Sequence, residues 1–220
     1  LDLPAGLPPM IAGLFGYLGY DMVRQMEHLP DAPPDDLNLP EAIMMRPGLF
    51  AVFDTVSDEL ILAAPVRPAA GEDAGDTWDK AHALLARARA CLAGALPAMP
   101  EANLPAAFEA PHSTFSREEF CAAVEKIQDY IAAGDAFQVV PSQRFSAPFT
   151  LPSLALYRSL RRINPAPFLF HLDLGAFSLV GSSPEILVRL REGTMTVRPL
   201  AGTRPRGKDE AEDLWLEQDL

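Results

Sequence analysis

The stretch that decides the fold lies near the end of the chain and reads Pro199-Leu200-Ala201-Gly202-Thr203-Arg204-Pro205-Arg206-Gly207. The residues at 194–200 are mostly β-branched or apolar and follow a turn signal, which predicts a strand. At Gly202 the backbone is free to bend, and nothing blocks close approach by a ligand. Thr203 supplies a hydroxyl, and Arg204 and Arg206 could bind a carboxylate or a phosphate. From these residues alone, an anion-binding turn and a turn with arginines paired to acidic neighbours both remain open.

Five further stretches of the chain match a protein family, and they occur in the same order as in the family's proteins. Together with the signature stretch at 199–207 they resemble the large subunit (component I) of anthranilate synthase, a member of the chorismate-utilising enzymes. The resemblance covers nearly the whole chain. The matching stretches are GLFGYLGYDMVR at 13–24, FDTVSDELILAAP at 53–65, REEFCAAVEKIQDYIAAGDAFQVVPSQRF at 117–145, INPAPFLFHLDL at 163–174 and GSSPEILV at 181–188.

The composition of the chain limits the kinds of molecule that it is expected to bind. The chain has 220 residues, of which 49% are hydrophobic and 22% charged, as is typical of a globular protein. A formal net charge of -12 argues against nucleic-acid and anionic-membrane partners. The apolar runs are far shorter than the roughly 18 residues of a membrane span. Cys91 and Cys121 lack metal-binding spacing, and this cysteine usage favours a reducing cytoplasm.

A change in amino-acid composition along the chain predicts two regions joined by a linker. Residues 96–112 are rich in Pro and Ala, which favours a linker. The resemblance implies that residues 1–95 belong to the tryptophan-regulatory side and that 113–220 form the first part of the catalytic domain. Because the chain starts at Leu1 without a Met and stops at Leu220, and the family's proteins are roughly twice as long, we expect a fragment.

Several elements are predicted from local signals. Ser116 and Glu119 form a capping-box pattern ahead of a helix that should end at Gly134. Thr77 is the predicted N-cap of an earlier helix, and residues 137–140 should form a strand. We therefore predict an α/β protein of the α+β type with a mostly antiparallel sheet. The resemblance implies that it is part of an αββα sandwich with the active site between two sheets.

The resemblance assigns chemistry to five positions. It implies that Glu185 is the general acid or base at the departing C4 hydroxyl of chorismate. It implies that Gly202 and Thr203 contact chorismate, through a backbone N–H and a hydroxyl. Gln138 and Ala201 occupy positions where relatives that direct other nucleophiles to chorismate carry a lysine. Because neither residue has a basic nitrogen, we expect ammonia itself to attack C2.

A Pro-fixed turn predicts an effector site. Pro167, Phe168 and Leu169 end an element that resembles the tryptophan feedback site of the family, and a rigid turn ending in an aromatic could stack on an indole. A purely structural turn between helix and strand is the alternative. His171, in the middle of the following strand, is predicted to be a packed or hydrogen-bonded histidine and not a base.

The resemblance also implies a cofactor and a partner. It implies Mg²⁺, held by glutamates beyond residue 220, and ammonia delivered by a glutamine amidotransferase subunit (component II). The acidic run at 209–219 has no metal-site spacing and is predicted to be a solvated helix face. We expect the chain alone to be inactive. The alternatives are aminodeoxychorismate synthase component I and a non-catalytic binding module of the same fold.

Overall fold

The computed structural model describes residues 3–4, 6–67, 69–96, 109–198 and 203–219. The chain divides into two compact units, Leu1–Pro100 and Glu101–Leu220. The boundary falls within the predicted linker at 96–112, of which residues 97–108 lie outside the described part. The assignment of a regulatory and a catalytic region to the two sides stays a prediction.

The described residues of the first unit form two antiparallel strand pairs. β1 pairs with β2, and β3 pairs with β4. The close spacing of β1 and β2 depends on Gly16, since a Cβ at this position would lie 1.7 Å from the carbonyl oxygen of Ile43. The bounds are β1 Phe15–Leu18, β2 Ala42–Met45, β3 Phe50–Asp54 and β4 Glu59–Ala63, with short 3₁₀ helices at Pro9–Ala12 and Tyr20–Gln25.

Helix α1, Ala74–Ala93, packs against β4 in this unit. It ends before Gly94 as predicted, but the predicted N-cap at Thr77 is wrong. Asp73 is the N-cap, and its carboxylate accepts a hydrogen bond of 2.7 Å from the N–H of Gly75. The Thr77 hydroxyl instead donates to the carbonyl of Asp73 from within the first turn, at 2.9 Å.

The small core of the first unit forms around two aromatic rings. The rings of Phe15 and Phe50 lie 5.7 Å apart, so a residue of β1 contacts the first residue of β3. Phe50 and Ile11 are 9% and 3% exposed and are the buried apolar side chains of the described residues. Many other apolar side chains of these residues remain half-buried or exposed.

The second unit begins with a strand pair that flanks a helix. β5, His112–Ser113, pairs with β6, Phe145–Ser146, and α2 spans Arg117–Ala133. The predicted capping box is confirmed, with Ser116 Oγ accepting from the Glu119 N–H at 3.1 Å. α2 ends at Gly134, whose φ of 85° is left-handed. The predicted strand at 137–140 is absent, and Phe137 is fully exposed.

A helix packed on a hairpin forms the centre of the second unit. α3, Ser153–Ile163, contacts both β7, Phe168–Asp173, and β8, Ser178–Ser183. The hairpin turns at Gly175, where φ is 83°. Beyond it lie β9, Arg189–Arg191, paired with β10, Thr194–Thr196, and then α4, Glu210–Gln218. The predicted strand at 194–200 is therefore shorter within the described residues.

The pairing agrees with the predicted fold class. The strands of the described residues form five antiparallel pairs, and helices lie against some of them, which is an α+β arrangement. None of the helices in these ranges combines the length and the apolarity needed to cross a membrane.

Candidate functional site

An open cavity of about 540 Å³ lies in the second unit where three chain segments meet. One segment follows α2, one follows β8 and one follows β10. We call it the Glu185 cavity, and its described lining residues are Gln138, Ser183, Pro184, Glu185, Ile186, Leu187, Val197 and Arg198.

Glu185 is positioned by the end of strand β8. The hydroxyl of Ser183, the last residue of β8, donates to the carbonyl oxygen of Glu185 at 3.0 Å. This bond closes the chain into a tight turn around Pro184, whose ring fixes its own φ. The Glu185 side chain is half-buried on the cavity wall. The turn therefore holds one carboxylate at the edge of a largely apolar pocket.

Gln138 reaches the same cavity from the segment after α2. This segment is irregular in structure, not the predicted strand, but it brings Gln138 to the wall that Glu185 also lines. The cavity thus collects two of the residues that the sequence singled out. Their chemical roles stay predictions.

Two other predicted site residues, Ala201 and Gly202, lie outside the described residues. Thr203 is described and exposed, and its carbonyl oxygen accepts a hydrogen bond of 3.3 Å from the guanidinium of the adjacent Arg204. Thr203 is absent from the described lining of the Glu185 cavity. Contact of Gly202 and Thr203 with chorismate, and the role of Ala201 as a position without a lysine, stay predictions.

The signature arginines pair with acidic residues of α4 and its C-cap. Arg204 Nε donates to Asp219 at 2.9 Å, and Arg206 Nε donates to Asp213 at 3.0 Å. The sequence left open whether these arginines bind an anion or acidic neighbours, and both are engaged with the protein itself. The acidic run also forms a helix as predicted, although part of its charge is used in these contacts.

Asp213 anchors the signature segment to α4. Its carboxylate accepts from the N–H of Gly207 at 2.7 Å, in addition to the bonds from Arg206. The Gly207 N–H, and then the positive charge of Arg206, lower the pKa of the Asp213 carboxyl. A Cβ on Gly207 would lie only 2.2 Å from the backbone nitrogen of Asp213, so this close approach requires glycine.

The predicted tryptophan-binding element lies next to the Glu185 cavity, because its strand β7 pairs with β8, whose last residue lines the cavity. Phe168 pairs with Ser183, and Leu169 pairs with Ser182. The hydroxyl of Ser182 donates to the carbonyl of Asn164 at 2.9 Å, which ties the turn before Pro167 to β8. Phe168 is 45% exposed, so part of its side chain is accessible to solvent. The element and the cavity therefore share one strand, while binding of tryptophan there stays a prediction.

His171 has the environment of a hydrogen-bonded structural residue, as predicted. Its Nε2 is 2.9 Å from the hydroxyl of Ser153, the first residue of α3. Its ring also lies 6.0 Å from that of Tyr157 on the same helix. These contacts connect β7 to α3.

The described residues do not provide a metal site. Among them, no group of three or more His, Cys, Asp and Glu side chains is arranged to hold an ion. The described residues therefore provide no ligand set for the Mg²⁺ that the resemblance implies, and its glutamate ligands are predicted to lie beyond residue 220.

Arg198 is the lining residue that sequence reasoning missed. It lies two positions after β10 and directly before the signature stretch. The signal that could have indicated it is a cation within a stretch that otherwise alternates apolar and β-branched residues. An ordinary exposed arginine on a strand would give the same pattern. Only the position of Arg198 on the cavity wall distinguishes a lining residue from such an arginine.

Comparison with known proteins identifies the family. The model of the chorismate binding enzyme family matches residues 2–220. The chain is 51% identical over 220 residues to anthranilate synthase component 1 of Cereibacter sphaeroides, and 46% identical over 222 residues to that of Thermus thermophilus. Both matches cover the whole chain but only 44% and 46% of the relatives, so the chain spans less than half their length.

A solved structure supports the fold. The crystal structure of anthranilate synthase component I from Streptococcus pneumoniae TIGR4 superposes with a TM-score of 0.71 at 27% identity. The superposition covers 89% of this chain and 43% of that one. The predicted α+β fold of the anthranilate synthase component I type is confirmed. The chain belongs to the family of chorismate-binding enzymes.

Proposed function

We propose that this chain is part of the large subunit of an anthranilate synthase, a lyase that converts chorismate and ammonia to anthranilate, pyruvate and water. The observation that carries the proposal is the Glu185 cavity, which joins Glu185 and Gln138 in a chain 51% identical to a protein named anthranilate synthase component 1. Tryptophan biosynthesis would be the pathway that uses this product.

Glu185 is the proposed proton donor. Ammonia forms a bond to C2 of chorismate while the C4 hydroxyl leaves, and a carboxylic acid beside that hydroxyl lets it depart as water. Loss of the C2 proton and of the enolpyruvyl group as pyruvate then gives the aromatic ortho-amino acid. The tight turn at Pro184 would keep the carboxyl at the cavity wall during these steps.

Gln138 and Ala201 support ammonia as the nucleophile. A lysine at either position would place an amine in the site, able to activate water or to attack C2 itself. An amide and a methyl group can do neither. We therefore expect amination at C2 and not isochorismate or 4-amino-4-deoxychorismate as the product.

The partners follow from the same proposal. A glutamine amidotransferase subunit (component II) would supply ammonia, and Mg²⁺ would be bound by glutamates outside residues 1–220. L-tryptophan would inhibit by binding beside Pro167, Phe168 and Leu169. A cytoplasmic location fits these soluble substrates. The 220 residues alone should not turn over chorismate.

The variant Glu185→Gln in the full-length protein tests the role of the cavity. Loss of a general acid typically lowers turnover by about a hundredfold or more, while an amide of the same shape leaves binding largely intact. Anthranilate fluorescence with chorismate, ammonium and Mg²⁺ would give kcat and KM for both substrates.

Glu192→Gln is the matched control. Glu192 lies in the turn between β9 and β10, has a left-handed φ of 49° and is absent from the cavity lining. Its variant should keep the wild-type kcat. If Glu185→Gln also kept a kcat near wild type, Glu185 would not be the proton donor.

A further inference from the structure

Arg198 stands apart from the other arginines near the signature stretch. Arg204 and Arg206 each pair with an aspartate at 2.9–3.0 Å. Arg198 makes no hydrogen bond and no ion pair with any residue of the described ranges. Its guanidinium, with five donors in a fixed fork, is therefore not engaged by the surrounding described protein.

Arg198 is exposed to solvent, but it lies on the wall of the Glu185 cavity. It lines the Glu185 cavity and is the one cation among the described lining residues. Much of the remaining wall is apolar, with Pro184, Ile186, Leu187 and Val197.

Glu185 and Arg198 share the cavity without pairing. No N–O distance between these two described residues falls within 4.0 Å, although their charges are opposite. Space between an acid and a cation suits a ligand that has a leaving group at one end and a carboxylate at the other. Chorismate carries two carboxylates, one on the ring and one on the enolpyruvyl group.

We propose that Arg198 binds one of the two carboxylates of the substrate and thereby orients the ring toward Glu185. The inference rests on the proposed function, since it takes chorismate as the ligand of the cavity. A guanidinium can donate two parallel hydrogen bonds to a carboxylate, which fixes orientation as well as charge. Arg198 is thus a substrate-binding and specificity residue that favours dianionic acids over neutral analogues.

Arg198→Gln and Arg198→Lys in the full-length protein test this role. Losing a charge-assisted bidentate contact should raise KM for chorismate about ten- to a hundredfold. Because the contact is present in ground state and transition state alike, kcat should stay within about threefold and KM for ammonium should not change. The lysine variant keeps the charge but not the fork, so its KM should be intermediate.

Arg191→Gln serves as the matched control. Arg191 is an exposed arginine at the end of β9 and is not among the lining residues of the cavity. It should leave both KM values unchanged. Near-UV circular dichroism of all variants checks that they fold like the wild type.

The outcomes separate the inference from the proposed function. A wild-type protein that makes no anthranilate from chorismate would refute the proposed function. An active wild type whose Arg198→Gln variant keeps its KM for chorismate within twofold would refute the role of Arg198 alone. The role of Arg198 would also be refuted if Arg191→Gln raised the KM for chorismate as much as Arg198→Gln does. It would be refuted as well if Arg198→Gln lowered only kcat.

Discussion

Replacing Gly207 with alanine tests whether the signature segment must lie directly against α4. The new Cβ would lie 2.2 Å from the backbone nitrogen and 2.6 Å from the Cα of Asp213. These helix atoms cannot rotate away. The segment and α4 would have to separate by roughly 1 Å, and this would stretch the 2.7 Å bond from the Gly207 N–H to Asp213 beyond hydrogen-bonding range.

Overpacking of this kind costs about 1–3 kcal/mol. Because about 1.4 kcal/mol changes an equilibrium constant tenfold, local opening of α4 should become about 5- to 150-fold more populated. Hydrogen exchange followed by mass spectrometry on the full-length protein measures this directly. Peptides from Glu210–Gln218 should exchange faster by that factor, while peptides from the β7–β8 hairpin should not change.

Gly48→Ala is the matched control for this experiment. No heavy atom lies within 4 Å of a Cβ at Gly48, and its backbone is not left-handed, so the added methyl group should be tolerated. Unchanged exchange of α4 in Gly207→Ala would refute the reasoning that this glycine is required by contact with the helix. Equal acceleration in both variants would refute it as well.

Three further predictions concern other contacts. The Gly207 N–H, and then the charge of Arg206, lower the pKa of the Asp213 carboxyl from its ordinary 3.8. The ionised carboxylate therefore stabilises the contact between the signature segment and α4 at pH values above the unfolded-state pKa. This stabilisation is lost as the pH falls through the lowered pKa of the folded state. Protection of α4 should therefore decrease below about pH 4 in the wild type, and Asp213→Asn should remove this dependence, as exchange at graded pH would show. Gly16→Ala should separate β1 from β2, because the methyl group would meet a backbone carbonyl, and thermal unfolding should detect the lost stability. Ala201→Lys should suppress anthranilate formation by placing a competing amine at C2, which product chromatography would reveal.

The elements set by local chemistry were the predictable part of the fold. The capping box at Ser116 and the left-handed Gly134 bound α2 as predicted, because the side chains and backbone conformations that end a helix act within one turn. The start of α1 was misassigned because Asp73 and Thr77 are both good capping residues four positions apart. The choice between them depends on whether the intervening Gly75 enters the helix, which a propensity argument disfavours.

Predictions that depend on distant partners were less accurate. Residues 137–140 have a strand-like apolar pattern, but no neighbouring strand of the described residues pairs with them. The resemblance indicated Glu185 and Gln138 as site residues, and they line one cavity. Arg198 could not be predicted, because its place on that wall depends on how the chain leaves β10 and not on any local pattern.

The product of the full-length protein tests the central claim most directly. The protein would be incubated with chorismate, ammonium and Mg²⁺, and the products separated by chromatography. We predict anthranilate and pyruvate in equal amounts as the only significant products, because the roles that we propose for Gln138 and Ala201 would leave ammonia as the nucleophile at C2. Isochorismate or 4-amino-4-deoxychorismate as the main product would contradict the account.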